Sequence, residues 1–315
     1  MHEFDLIQHY FTWTPFPEEV SVSVGDDAAI VQIAPDEELI ISVDTLVNGV
    51  HFPLDTPAHA IGYKALAVNL SDLAAMGAKP RWFTLALTLP KLDQDWLEDF
   101  TRGLKELAHA AGIFLIGGDT TRGPLSISIQ VMGTAPKQQA LLRSGAQVGD
   151  LIFVSGYLGD AAAGLAVIQE RLRLPITDAN YCIECLNYPS PRFALGAWLR
   201  GRAHSCMDVS DGLVADLKHL LARSQVGAKL YHQQIPLSPT LQKLNLSNAL
   251  GFALTGGDDY ELLFTVPKHI LKEIENYQLV NHLHLKCIGE ITSQSSELSI
   301  DYPLVNLPDG YNHFQ

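Results

Sequence analysis

The stretch from Glu38 to Phe52 constrains this chain more than any other. Leu39 to Val43 is a short apolar, β-branched run after an acidic turn, the pattern of a strand that carries its last residues out of a sheet. Side chains two apart on a strand share a face, which sets Ile40, Ser42 and Asp44 on one side and Leu39, Ile41 and Val43 on the other. A hydroxyl and a carboxylate thus stand together at the expected strand end, the beginning of a site for a hard cation. One of each does not hold a divalent ion alone, so the rest of the chain must supply further isolated acids.

Several segments do. Val20 to Val24 alternates as a strand and runs into Gly25-Asp26-Asp27, where adjacent acids suit either a hairpin turn with solvated charges or a ligand site. Ala58 to Gly77 reads as a helix closed by Gly77, with Pro80 just beyond. From Ala65 to Met76 it is almost wholly small and apolar, apart from Asn69, Ser71 and Asp72, and Asn69 and Asp72 share a face. A carboxylate in so apolar a segment is expected to be partly buried, hence paired or bound to metal, which ranks Asp72 above Asp26 and Asp27 as a ligand. Trp82 to Leu89 reads as a strand and Asp93 to Ala111 as an amphipathic helix between an Asp93 cap and Gly112. Ile113 to Ile116 reads as a buried strand that stops at Gly117-Gly118-Asp119-Thr120-Thr121-Arg122. A tight hairpin is one reading of that stop, but Thr-Thr-Arg adds donors suited to phosphate and favours a ligand site.

Residues 135–150 are polar and turn-rich and mark a boundary between two domains, 1–137 and 138–315, with Arg143 in the linker. Beyond it, Leu151 to Ser155 reads as a strand, followed by a glycine loop and a helix from Ala161 to Leu172. Ala203 to Val209 leads into Ser210-Asp211-Gly212-Leu213 and a helix to Ser224. A helix cap accounts for one of Asp208, Ser210 and Asp211, not for all three. Phe252 to Thr255, the Gly256-Gly257-Asp258-Asp259-Tyr260-Glu261 segment and Leu262 to Val266 repeat the order of strand, double glycine, acid and strand.

Acids outnumber Lys plus Arg by 35 to 21, for a net charge of -14. Such a surface repels nucleic acid and anionic membrane, so a phosphate-bearing ligand needs local cations, either metal ions or a few placed Arg and Lys. No basic residue precedes Lys64 and no apolar run approaches the roughly 20 residues of a membrane span, which leads us to expect a cytoplasmic protein. Cys182 and Cys185 form a CxxC without a second half, so reduced thiols are expected. No nucleophile with a partner, zinc motif or phosphate loop is present. Oxygen ligands from Asp27, Asp44, Asp72, Asp119, Asp208 and Asp211 suit Mg²⁺, which keeps positions for water and phosphate oxygens and neutralises charge in phosphoryl transfer.

Val24-Gly-Asp-Asp-Ala28, Ser42-Val-Asp-Thr-Leu46, Asn69-Leu-Ser-Asp-Leu-Ala-Ala-Met-Gly77, Ile116-Gly-Gly-Asp-Thr-Thr-Arg122, Asp208-Val-Ser-Asp-Gly-Leu213 and Gly256-Gly-Asp-Asp-Tyr-Glu261 together resemble the thiamine-monophosphate kinases. The resemblance runs from about residue 20 to the closing Gly310-Tyr-Asn-His-Phe314. It implies the fold of the aminoimidazole ribonucleotide synthetases: two α/β domains, the N-terminal one lending strands to a β-barrel across a homodimer. It also implies ATP-dependent phosphorylation of thiamine monophosphate to thiamine diphosphate, the last step of thiamine diphosphate biosynthesis, with several Mg²⁺ ions and neither covalent nucleophile nor general base. Carried over by position, Asp27, Ser42, Val43, Asp44, Asp72, Asp119, Asp208 and Asp211 would ligate metal. Gly118, Asp119, Arg143 and Ser210 would contact ATP, and His51, Asp258 and Tyr311 the thiamine phosphate. Val43 stands where members often carry a hydroxyl residue, which leaves its carbonyl as the ligand. Asp258 stands where they usually carry Glu, a methylene longer, a gap that a bridging water would fill. The rival readings are another ATP-using synthetase of this fold and a non-catalytic binder of Mg²⁺ or nucleotide.

Overall fold

A computed structural model describes residues 3–301 and divides the chain into two compact units. The first runs to Leu73 and resumes at Ala78–Ala140; the second takes Ala74–Gly77 and the described residues from Leu141 onward. The C-terminal Gly310 to Phe314 signature, with Tyr311, lies outside the described residues.

The first unit opens with α1 (Glu3–Leu6), which continues into a π-helical turn, Ile7–Phe11, that buries Tyr10 and Phe11. A two-stranded antiparallel ribbon, β1 (Val20–Val22) and β2 (Ile30–Val31), precedes β3 (Glu37–Val47), α2 (Ala58–Ala75), β4 (Lys79–Leu89), α3 (Gln94–Ala111), β5 (Phe114–Arg122) and β6 (Ser126–Pro136). The four long strands form a sheet in the order β3-β6-β4-β5, with β6 antiparallel to both neighbours and β4 parallel to β5. Asp93 caps α3 by accepting from Trp96 N at 3.2 Å, and Gly112 ends it at φ 64°. Leu66 and Leu70 of α2, Phe100 of α3, Phe83 of β4 and Ile127 of β6 are wholly buried between helices and sheet. Each such side chain contributes roughly 1.5–3 kcal/mol relative to exposure.

Two expectations fail in this sheet. The strand expected to leave the sheet after Val43 continues to Val47, so Asp44 lies within β3 opposite Ile129 rather than at a strand end. Thr45, Leu46 and Val47 are good strand formers, and β6 offers Ser128, Ile127 and Ser126 as partners. Likewise β5 does not stop at Gly117. It pairs with β4 as far as Arg122, with a register shift after Leu115, and because β6 lies on the other side of β4 there is no β5–β6 hairpin. The glycine at 118 is a packing requirement of that pairing, since a Cβ there would sit 1.9 Å from the Leu85 carbonyl oxygen.

The second unit contains β7 (Leu151–Ser155), α4 (Asp160–Ile168), α5 (Ile176–Asn187), α6 (Phe193–Leu199), β8 (Ser205–Asp208), α7 (Leu213–Ser224), β9 (Gly227–Leu230), α8 (Leu246–Thr255), β10 (Leu262–Val266), α9 (Leu271–Asn281), β11 (Leu285–Thr292) and β12 (Leu298–Ile300). Its sheet runs β12-β9-β11-β7-β10-β8, antiparallel except for the β12–β9 pair. Both faces are covered. Ile152, Val154, Met207 and Leu263 pack into one core, and Phe153, Cys206, Leu262 and Phe264 into the other, as the period of two along a strand requires. Phe252 to Thr255, expected as a strand, is the last turn of α8. Asn245 caps that helix by accepting from Asn248 N at 2.9 Å, and Ala249, Leu250, Ala253 and Leu254 bury one helical face. A four-residue apolar run does not by itself distinguish the two structures. Among the described residues no helix is long and apolar enough to cross a membrane.

Candidate active site

In the first unit, the alternation along β3 sets Ser42 and Asp44 on the face toward α2 and Thr45 on the other, against Ser128 of β6. Ser42 Oγ donates to Asp72 Oδ2 at 2.6 Å, and the Asp44 amide donates to Asn69 Oδ1 at 2.9 Å. Asn69 is wholly buried and also donates to the Ala65 carbonyl, so it acts as the pin between helix and strand. Asp72, one turn on, is half-buried beside Ser42, as its apolar surroundings led us to expect. The opposite face of β3 is unusual. Leu39, Ile41 and Val43 are 38, 51 and 61 % exposed on an edge strand.

The other expected ligands of this unit stand apart from that group. Asp119 lies in register with Ala86, Ser128 and Thr45, at the far edge of the sheet from β3 and on the face opposite Ser42 and Asp44. Asp27 is exposed on the β1–β2 connection, where its amide donates to Asp26 Oδ1 at 2.9 Å, so the hairpin reading describes its local geometry. His51 lies just past β3, and its Nδ1 accepts from the Val47 amide at 3.0 Å. That bond leaves the proton of a neutral ring on Nε2, which makes that nitrogen a donor. Among the described residues no three His, Cys, Asp or Glu side chains come together as a metal cage. The expected Val43 carbonyl shares a peptide with the Asp44 amide that bonds Asn69 and so points the other way, toward β6. The side-chain donors present are all oxygens, a hydroxyl and carboxylates. They fit a cation such as Mg²⁺, which takes one or two carboxylates and fills its shell with water and phosphate oxygens.

In the second unit two loops are laced together. The first follows β8: Asp208 is buried, Val209 to Gly212 form the turn, and α7 begins at Leu213. Asp216, in the first turn of α7, accepts from the amides of Ser210 and Asp211 at 2.9 and 3.0 Å. Burial, with the neighbouring charges of Asp211 and Asp208, pushes the Asp216 carboxyl up to about 7, against the opposing pull of those two amides. The second loop is 256–261. Asp258 N donates to Ser210 O at 2.9 Å, Tyr260 N to Val209 O at 2.8 Å, and Val209 N to Glu261 O at 2.8 Å. Gly257 has to be glycine for this approach, because a Cβ would lie 2.4 Å from Ser210 O. Arg143 is exposed, and its carbonyl accepts from Ser224 Oγ at 3.0 Å.

The side chains of the second loop divide into two pairs. Asp258 and Tyr260 both have left-handed backbone, φ 69° and 50°, and the Tyr260 hydroxyl donates to Asp258 Oδ1 at 3.1 Å. Asp259 and Glu261 turn the other way. Both Asp259 oxygens accept from the Gly159 amide at 2.9 Å, and Glu261 is gripped by the Arg192 guanidinium through Nε and Nη2 and by Ser155 Oγ. Burial, reinforced by Asp160, Glu261 and Asp258, drives the Asp259 carboxyl well above the ordinary range, although the Gly159 amide opposes it. Asp160 is buried against Ser238 Oγ at 2.6 Å and the Tyr181 hydroxyl at 3.0 Å, and burial raises it too. Sequence reasoning missed Asp216, Asp259, Glu261 and Arg192. The criterion that selected Asp72, an acid on an apolar helical face, would have found Asp216 between Leu213 and Leu217. Cys182 and Cys185 are free thiols on α5 that burial pushes up to about 12, as suits inert residues.

Residues 25–135 match the family described as AIR synthase related protein, N-terminal domain. Thiamine-monophosphate kinase of Escherichia coli strain K12 is 45 % identical over 320 residues, covering 99 % of this chain and 98 % of that protein. A crystal structure of thiamine-monophosphate kinase from Stenotrophomonas maltophilia K279a superposes with a TM-score of 0.86 at 46 % identity, over 90 % of this chain and 92 % of that one. A structure described as AaThiL complexed with AMPPCP and TMP gives 0.79 at 32 % identity, over 93 % and 92 % of the two chains. The mixed α/β architecture is thus that of the AIR synthase-like proteins, and by sequence over nearly its whole length the chain belongs to the thiamine-monophosphate kinase family.

Proposed function

We propose that this chain transfers the γ-phosphoryl group of ATP to thiamine monophosphate, giving thiamine diphosphate and ADP. The observation that carries this reading is the 45 % identity, from end to end, with an enzyme named for that activity. The AaThiL complex with AMPPCP and TMP supports the pair of substrates.

The residues suit this chemistry. A phosphate monoester has its second pKa near about 6, so the attacking oxygen of the acceptor is already anionic at neutral pH and no general base is needed. The obstacle is repulsion between two polyanions, which several Mg²⁺ ions would offset by neutralising the phosphate oxygens. Ser42, Asp44 and Asp72 would hold metal in the first unit, with Asp27 and Asp119, which stand apart from that group, as ligands of separate ions. Asp208 and Asp211 would do so in the second. Gly118, Asp119, Arg143 and Ser210 would orient ATP. His51, whose Nδ1 is taken by the Val47 amide, would meet the acceptor phosphate as a donor through Nε2 rather than remove a proton. Asp258 and Tyr311 would complete the acceptor site, Asp258 matching the positive thiazolium ring. Transfer is direct and in line, with no phosphoenzyme. The exposed Leu39, Ile41 and Val43 on edge strand β3 support a homodimer that closes a barrel across this face.

The test is incubation of purified protein with ATP, MgCl₂ and thiamine monophosphate, with products resolved by chromatography beside EDTA and free-thiamine controls. Equal amounts of thiamine diphosphate and ADP, lost with EDTA and absent with free thiamine, are expected. ATP binding without diphosphate would favour a synthetase of the same fold or a non-catalytic binder. Rapid quench with labelled ATP that trapped labelled protein would overturn direct transfer.

A further inference from the structure

The alternation in 256–261 separates two jobs. Asp258 and Tyr260 form one hydrogen-bonded pair, while Asp259 and Glu261 are spent on anchoring. Each anchor reaches a different part of the second unit: Asp259 the Gly159 amide that opens α4, and Glu261 the Arg192 side chain that precedes α6. Ser155 Oγ donates to Glu261 Oε2 and accepts from the Leu262 amide at 2.9 Å, which ties the anchor to β7 and to the start of β10. Left-handed backbone at Asp258 and Tyr260 persists only where the surroundings fix it. The anchors supply that constraint, since each lies one residue from a left-handed position.

We infer that Asp259, together with the Arg192–Glu261 pair, positions the acceptor side of the reaction, fixing the backbone so that the Asp258–Tyr260 pair meets the cationic ring of the acceptor. The inference rests on the reading of Asp258 as an acceptor-binding residue. The neighbouring loop that carries Ser210 has its own anchor in Asp216, which holds two of its amides. The two loops share the bond from the Asp258 amide to the Ser210 carbonyl, but the Ser210 loop keeps its separate hold on Asp216, so loosening Asp259 displaces Asp258 more than Ser210 and the larger effect falls on the acceptor. A merely structural acid would disturb both alike.

The experiment is steady-state kinetics on the full chain with ATP and thiamine monophosphate each varied, for Asp259→Ala and Asp259→Asn, with thermal unfolding alongside. Asn keeps an oxygen for the Gly159 amide. Asp259→Ala is expected to raise the acceptor KM about tenfold or more while the ATP KM stays within about twofold, and Asp259→Asn to hold the acceptor KM within about threefold of the parent. If Asp259→Ala does not fold, Ser155→Ala removes one bond to Glu261 while leaving its charge on Arg192, and a selective rise in acceptor KM of about threefold is expected. An unchanged acceptor KM, or both KM values rising together, overturns the inference. Absence of thiamine diphosphate from the parent protein would instead overturn the function on which it rests.

Discussion

The acids of the two units are held by different means. On β3 and α2 the geometry comes from regular structure: strand register sets Ser42 and Asp44 on one face, helical spacing sets Asn69 and Asp72 on another, and one buried amide joins them. In the second unit the acids sit on loops, and the loops are fixed by other acids whose oxygens are satisfied: the buried Asp216 under 208–212, and the half-buried Asp259 and buried Glu261 under 256–261. The first arrangement tolerates change at an individual side chain because the strand and helix persist without it. The second stores its geometry in a few side-chain contacts, and where the contact is the ion pair of Arg192 with Glu261 the loss of one partner leaves a buried charge behind.

That contrast predicts where damage to stability and damage to activity separate. Arg192→Ala should have the largest effect on stability, a loss of about 3–5 kcal/mol, because Glu261 stays buried without its guanidinium. Denaturant unfolding measures it, and a loss below about 1 kcal/mol would show that the loop does not depend on its anchor. Asp72→Asn should do the reverse. As a proposed Mg²⁺ ligand its loss should lower kcat/KM by about 100-fold or more. The amide still accepts from Ser42, so the Tm without Mg²⁺ should scarcely change, while the rise in Tm on adding Mg²⁺ shrinks. A parallel loss of fold and activity in Asp72→Asn would break the comparison.

How legible these regions are in the sequence follows the same division. The helix from Asp93 to Gly112 is readable to the residue because its signals are local, a side-chain cap at one end and a left-handed glycine at the other. The Ser42–Asp72 pairing is half readable: each partner shows in its own segment, but that β3 continues past Asp44 depends on β6, whose strand begins at Ser126. The roles of Asp259 and Glu261 are not readable locally, since their partners lie 100 and 69 residues earlier in the chain. Four consecutive polar residues look alike until the fold turns alternate ones inward. Asp119 shows the opposite failure. Its motif suggested a loop, and a regular strand partner, β4, made it a position in a sheet.

A smaller effect sharpens the first half of the comparison. Ser42→Ala deletes the 2.6 Å bond to Asp72 but leaves the strand, the helix and the Asn69 pin in place. It should cost only about 1 kcal/mol in unfolding free energy. If it costs several, the pair is a structural clamp rather than a donor set awaiting a cation.

The smallest effect is a pH dependence that belongs to the second unit alone. Burial raises Asp160 and drives Asp259 well above the ordinary aspartate value of 3.8, and the groups facing Asp259 are Asp160, Glu261, Asp258, the Gly159 amide and the Cys185 thiol of α5. A carboxyl whose pKa is higher in the folded state binds more protons there than in the unfolded chain. Its contribution is therefore most favourable below 3.8 and is lost as pH rises through the folded value. Asp259→Asn has no proton to lose, so the Tm of the variant minus that of the parent should increase as pH rises from the ordinary aspartate value through the raised folded one. The metal-free protein gives the cleanest reading, and Asp72→Asn is the control for the first unit. A difference that stayed flat for Asp259→Asn would mean that the buried acid is solvated in the folded state, and the loop it anchors would then be no more rigid than the open face of β3.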